Sequence, residues 1–276
     1  PTSSWYMVIG PIARTVDDVA LAMNSLAGYD RRDPNSLPMA AKDYVAELDT
    51  PTTGLRVGVV TNFFFDDAIP EVETAVRDAA HAFADAGATV TELEILGFQH
   101  AQLLEPVFES ENKGWLLDYA LRRGRDFLHQ DIRFRILAGA FARTIDHERA
   151  SRLLNQLRWE VADAFDQVDV LITPTNSTPA YPLGGVDVQL KNETVNVGPA
   201  SGQSRVTARL TAPFNALGLP AVSIPCGFSS SGMPIGLQIV GQHGDDHMVL
   251  RAAALYERTA GPGYRRPPME QSFSDD

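Results

Sequence analysis

Two spacings of apolar residues recur along this chain. From Thr15 to Ala27, the residues Val16, Val19, Ala20, Met23 and Leu26 return every three or four positions, as on a helix with one buried face. Thr15 is a good N-cap, Asp17 and Asp18 favour the positive end of the helix dipole, and Gly28 stops the run. Leu55–Thr61 and Ala88–Ile95 read as strands, and Pro70–Ala86 between them reads as a helix with proline in its first turn. Strand, helix and strand in this order form a βαβ unit with parallel strands. Ala101–Ala164 is helical in pattern, in three pieces broken near Gly114, Gly124 and Thr144. Val168–Thr173 is a further strand, and Asn176–Gly202 is a loop dense in Pro, Gly, Thr and Asn. A last helix, Asp245–Thr259, is capped by Asp245 or Asp246.

Thr211–Gly241 organises the rest. An apolar helix, Thr207–Leu217, ends at Gly218, and Pro220 blocks its continuation. Ala221–Pro225 and Ile235–Val240 then form a hairpin around Gly227–Pro234, with both strands largely buried in the middle of a large sheet. Parallel units joined to an antiparallel hairpin predict an α/β fold: a mixed β-sheet with helices on both faces.

Composition narrows the function. The 276 residues are 44% hydrophobic, enough for a substantial core. A net charge of -12 with no basic block argues against nucleic acid. One cysteine, Cys226, excludes an internal disulfide framework and suits a reducing, cytoplasmic setting. No apolar run approaches the roughly 20 residues that span a bilayer, so no membrane partner is expected. Residues 269–276 form an acidic tail expected to be disordered.

Residue by residue, the candidate chemistry is sparse. The strand RVGVVT could open a dinucleotide fold, but Asn62-Phe63-Phe64-Phe65 follows where glycines would be needed, so the three Phe read as a lid or core plug. Ser201, in Pro199-Ala200-Ser201-Gly202, misses the spacing of a nucleophile elbow and follows no strand. Ser229-Ser230-Ser231-Gly232 reads as the hairpin turn, and Ser3-Ser4 sits at a terminus. The lysines Lys42, Lys113 and Lys191 lie in polar, exposed-looking stretches, whereas a catalytic lysine must be held neutral. His243 and His247 flank a helix start and offer too few ligands for zinc, so no metal site is expected. Cys226 reads as an inert buried thiol, and Arg133, Arg149 and Arg152 as solvated helix faces.

Three stretches carry a family resemblance. Thr211-Ala212-Pro213-Phe214-Asn215 through Phe228, followed by Gly232 and Pro234-Ile235-Gly236-Leu237-Gln238-Ile239-Val240-Gly241, resembles the C-terminal signature of the amidase signature enzymes. Gly10-Pro11-Ile12-Ala13-Arg14-Thr15-Val16-Asp17-Asp18 resembles the segment after that family's catalytic core. Val168–Thr175, with Pro179 and Ala180, resembles its D-V-L-L-T-P-T strand, and Asp30, Arg32, Asp33 and Ser36 resemble its D-x-x-D-x-x-S loop. The resemblance implies an amidase signature fold and hydrolysis of a carboxamide by a Ser–Ser–Lys triad, without metal or cofactor. That triad belongs before Gly10, so residues 1–276 are expected to be the C-terminal part of a single amidase domain, 98–166 its helical segment, with no catalytic residue of its own. An open sheet edge in such a part predicts aggregation or a homodimer.

The resemblance also implies a substrate pocket for a small-molecule amide. Ala208, Thr211, Ala212 and Asn215 match the inward positions of the helix that lines the acyl pocket in fatty acid amide hydrolase, and Thr175 lies at the mouth. The glutamine-using A subunits of tRNA-dependent amidotransferases are similar too. They hold glutamine with an Asp in this helix and an Arg in an R-I-x-x-G segment. The chain keeps Arg135-Ile136-Leu137-Ala138-Gly139 but has Ala208 in place of the Asp, which forfeits a charge-assisted bond of ~1.5–3 kcal/mol. A general amidase with an apolar or small acyl group is favoured. The alternatives are a non-catalytic binding protein on the same scaffold and the A subunit of a glutamine-dependent tRNA amidotransferase.

Overall fold

The computed structural model describes residues 8–33, 36–40, 42–104, 117, 121–122, 136–137, 141, 143–181, 186–197 and 208–260. Helix α1 (Val16–Leu26) starts where Thr15 accepts the backbone N–H of Asp18, as its sequence predicts. A short α2 (Tyr44–Glu47) is capped by Asp43 and tied to α1 through Asn24, which bonds both Asp43 and the Tyr44 N–H. Then come β1 (Arg56–Val60), α3 (Pro70–Asp85) and β2 (Thr89–Leu93), with β1 and β2 parallel. A 3₁₀ stretch (Leu96–Leu103) follows, and α4 spans Thr144–Phe165. Most of the expected three-part helical region between them, with the breaks at Gly114 and Gly124, lies outside the described residues. Strand β3 (Val170–Pro174) pairs parallel with β1. The remaining elements are β4 (Val186–Gln189), β5 (Thr194–Val197), α5 (Ala212–Leu217), β6 (Ala221–Phe228), β7 (Pro234–Gly241) and α6 (Asp246–Thr259).

The main sheet runs β2-β1-β3-β7-β6, parallel across its first three strands and antiparallel from β3 onward. Its two faces can be told apart on β7. A Cβ on Gly241 would meet Val249 of α6, so Gly241, Ile239, Leu237 and Ile235 face α6 and α3. Gln238, of opposite parity, bonds the Leu210 carbonyl just before α5. Helices therefore cover both faces: α3 and α6 pack together on one, and α5, α4 and the 3₁₀ stretch pack together on the other. Phe63, Phe64 and Phe65 are all buried, and Phe64 contacts both Phe98 and Phe214 by ring stacking or edge contact. They are a core plug, not a lid.

Four expectations are corrected. Among the described residues the hairpin sits at one end of the five-stranded sheet: β7 is interior, but β6 is the last strand, and its Ala221, Ser223 and Pro225 are exposed. Helix α5 is half the predicted length. Pro213, which lacks an N–H, occupies its first turn, and a turn at 208–211 precedes it, with the Ala208 carbonyl accepting the N–H groups of Thr211 and Ala212. The loop predicted for Asn176–Gly202 contains a separate two-stranded hairpin, β4–β5, because Val186 and Val188 pair across from Val197 and Val195. Finally, neither aspartate caps α6: Asp245 stands at the N-cap position with φ -99° and ψ 39°, outside the extended region an N-cap side chain needs, and makes no side-chain cap bond.

Candidate active site face

Polar side chains gather on the α5 side of the sheet. Thr173 and Gln238 face each other across β3 and β7 and are 0% and 3% exposed. A buried amide must be hydrogen-bonded or it destabilises the fold. Gln238 Nε2 meets this need twice, donating to Thr173 Oγ1 at 2.9 Å and to the Leu210 carbonyl at 3.1 Å. Thr173 in turn donates to the Pro174 carbonyl. Gln238 thus fastens the sheet to the turn that carries Ala208 and Thr211.

Two residues further along from Thr173, Thr175 is half-buried, and Ser223, opposite Gln238 on β6, is exposed. Thr175 Oγ1 and Ser223 Oγ lie 2.7 Å apart. Gly236, which accepts the Thr175 N–H through its carbonyl, lies between them on β7. A Cβ there would stand 2.8 Å from Thr175 Oγ1 and 2.9 Å from Ser223 Oγ, so only glycine lets the hydroxyls meet.

The wall beside this floor is apolar. Ala212, Phe214, Ala216 and Leu217 of α5 are buried, while Ala208, Thr211 and Asn215 are half-buried. Gly218 closes the helix with φ 72°, the left-handed conformation that glycine adopts without penalty. Of the five residues expected to form a pocket, Thr211, Ala212 and Asn215 belong to α5 or its N-cap, Ala208 to the preceding turn, and Thr175 to the floor beyond Gln238. Arg209, beside Ala208, pairs with Asp67 and lies 4.5 Å from the centre of the Phe63 ring. Burial pushes the Arg209 pKa down, with the negative charge of Asp66 opposing.

Sequence reasoning singled out Thr175 but missed Ser223, Gln238 and Arg209. Gln238 and Ser223 lie in strands that read as apolar. The available signal was an amide in the middle of the buried run Ile235–Val240, which demands partners.

Among the described residues, the lysines that could activate a nucleophile are engaged elsewhere. Lys42 was expected to be exposed, but it is half-buried and its Nζ lies 2.7 Å from His247 Nδ1. It lines a cavity of ≈ 190 Å³ together with Met23, Met39, Tyr44 and Asp246, and none of the five expected pocket residues lines that cavity. Lys191 Nζ pairs with Glu73 at 3.1 Å. Lys113, Arg133, Arg135, Ser3, Ser4, Ser201 and residues 269–276 lie outside the described residues. His243 Nδ1 bonds the Gly218 carbonyl, consistent with a loop role, and Arg149 and Arg152 are exposed. Burial pushes the Cys226 thiol up to about 12, which leaves it protonated and unreactive at neutral pH. Among the described residues no group of three His, Cys, Asp or Glu could hold a metal, and no helix is long and apolar enough to cross a membrane.

Known proteins resemble this arrangement along almost the whole chain. A family model described as Amidase matches residues 1–250. The A subunit of glutamyl-tRNA(Gln) amidotransferase from Chloroflexus aggregans is 32% identical over 288 residues, which cover 96% of this chain and 56% of that protein. Its counterpart from Myxococcus xanthus is 33% identical, over 90% of this chain and 54% of that protein. A solved structure, described as a vestigial protein complex that reveals the evolutionary origins of an s-triazine catabolic enzyme, superposes with a TM-score of 0.81 at 27% identity, over 93% of this chain and 54% of that one. The chain spans about half the length of the curated relatives it matches.

Proposed function

The chain belongs to the amidase family, and from that premise we propose that it forms the acyl-pocket wall and part of the sheet of an enzyme that hydrolyses a carboxamide to a carboxylic acid and ammonia or an amine. The observation that carries this reading is the uncharged character of the α5 side of the sheet, where half-buried Thr175 and exposed Ser223 lie beside the buried Thr173–Gln238 pair that holds the turn before α5. Such a neutral, largely apolar setting suits a neutral amide with an apolar or small acyl group. The nucleophile and its base come from polypeptide outside this chain. The pairing of Lys42 with His247 and of Lys191 with Glu73 supports that assignment, because neither lysine is placed to take a proton from a serine.

A second reading, one polypeptide of a glutamine-dependent amidotransferase, is favoured by the names of the curated relatives. The wall argues for the first. Glutamine carries an α-ammonium that a carboxylate would hold, and the candidate position carries the methyl group of Ala208.

The test uses the full chain with benzamide, glutamine and a serine-directed fluorophosphonate. We expect no ammonia release and an unchanged intact mass, together with binding of benzamide in preference to glutamine. Stoichiometric labelling of a serine in this chain, Ser201 above all, overturns the assignment of the nucleophile elsewhere. Preference for glutamine overturns the neutral-amide reading in favour of the amidotransferase.

A further inference from the structure

We propose that the cavity between α1, the loop carrying Leu37, Met39 and Lys42, and the start of α6 binds a free α-amino acid with an apolar side chain. This cavity shares no residue with the α5 side of the sheet and does not presuppose the amidase reading. Its walls are held in place from several directions. Met23 of α1 forms one of them. Tyr44, at the start of α2, is fixed through its backbone N–H, which donates to Asn24 Oδ1 at 2.7 Å. The loop is fastened to α6 twice. Lys42 Nζ donates to His247 Nδ1 at 2.7 Å, and Met39 lies over Gly244, where an added Cβ would stand 3.4 Å from Met39 Sδ. Gly244 has φ 82°, a left-handed backbone that glycine adopts without strain.

Three polar groups lining this cavity have bonding capacity that the fold leaves unused. Tyr44 is 8% exposed and packs in the core, yet its hydroxyl has no hydrogen-bond partner among the described residues. A polar group so deeply placed ordinarily has one, and the cavity is where it can come from. Burial, and then the negative charge of Asp246, raise the Tyr44 pKa, so the hydroxyl keeps its proton at neutral pH and can donate it. Lys42 has three N–H donors and, among the described residues, His247 as its sole partner. The half-buried Asp246 carboxylate accepts no hydrogen bond and pairs with no cation among the described residues. One cavity thus holds two opposite charges that do not neutralise each other. A simple carboxylate would meet a like charge at Asp246, and a simple amine would meet one at Lys42. A zwitterion suits both: its carboxylate accepts from Lys42 and the Tyr44 hydroxyl, and its ammonium donates to Asp246. The rest of the lining selects the side chain. Met23 is half-buried, and Leu37 and Met39 are 43% and 45% exposed, apolar surface that a bound aliphatic group would cover. The ≈ 190 Å³ of the cavity has room for about a dozen water-sized groups, enough for leucine.

The experiment titrates the full chain by calorimetry with L-leucine, with 4-methylpentanoate, which lacks the ammonium, and with 3-methylbutylamine, which lacks the carboxylate. Wild type is expected to bind leucine and to bind each analogue at least about tenfold more weakly, the worth of one charge-assisted hydrogen bond. L-glutamine, which sets a polar side chain against the apolar wall, should also bind at least about tenfold more weakly than leucine. Lys42→Gln and Asp246→Asn should each weaken leucine at least about tenfold, and Tyr44→Phe, which removes the hydroxyl and keeps the ring, about three- to tenfold. Thermal unfolding of each variant separates a lost contact from a lost fold. No binding of leucine, or binding that all three variants retain in full, overturns the proposal. Equal or tighter binding of either analogue overturns the zwitterion in favour of an anion or a cation site, and equal binding of glutamine overturns the apolar selectivity. None of these results bears on the amidase reading, which rests on the α5 side of the sheet.

Discussion

The two faces of the sheet are built from the same strands and differ in how they end. On the α3–α6 side, Ile235, Leu237, Ile239 and Gly241 meet helices along their length, and the interior is sealed and apolar. On the α5 side, the neighbouring residues of the same strand are Gly236, Gln238 and Val240, and the cover stops short, leaving Ala221, Ser223 and Pro225 on view. One strand thus presents apolar side chains to the helices through its odd positions and Gly236 and Gln238 to the other face through two of its even ones. The period of two that makes a strand amphipathic here separates the sealed face from the face proposed as the substrate wall.

The sharpest way to break this division is a truncation on the sealed side. Ile239→Ala is expected to lower unfolding free energy by about 2–5 kcal/mol in urea, as for other buried aliphatic deletions, while benzamide affinity stays within twofold. A large loss of affinity at unchanged stability would erase the distinction between the faces. Next in size, Gln238→Ala strips partners from Thr173 and from the Leu210 carbonyl and should cost about 1–3 kcal/mol. Unlike Ile239→Ala, it should also weaken benzamide, because the turn carrying Ala208 and Thr211 loses its tether.

The smallest effect lies away from both faces, where Asp169 receives the Arg56 side chain at 2.7 Å and the Arg56 backbone N–H at 2.8 Å. Partial burial pulls its carboxyl upward, but the hydrogen bonds and charge of Arg56 outweigh burial and hold it below its ordinary value. A depressed folded pKa stabilises above the unfolded pKa of about 4, and that stability disappears as pH falls through the folded value. Asp169→Asn should therefore flatten the acid limb of the stability profile. At neutral pH it should cost about 1 kcal/mol or less, since the pair is partly exposed.

Much of the fold was legible in local pattern. Thr15, Gly28 and the 3.6-residue spacing located α1, and Gly218 marked the end of α5 in the left-handed conformation that its position required. The errors have physical causes. Pro213 shortened α5 because a missing N–H is tolerated only in the first turn. The β4–β5 hairpin lay unnoticed among turn residues because its strands are four residues long. The place of β6 at the edge depended on strand order, which local spacing does not encode. In the site, Thr175 was visible through its motif, whereas Ser223 became meaningful only once Gly236 brought β3 and β6 together.

The most direct measurement is a backbone amide chemical-shift map of the full chain titrated with benzamide. We expect the perturbations to centre on Thr175, Ser223, Gly236 and Gln238 and to extend to Ala208 and Thr211, with α3 and α6 silent. Perturbations confined to α3 and α6, or to the cavity beside Lys42, would contradict the assignment of the α5 face as the substrate wall.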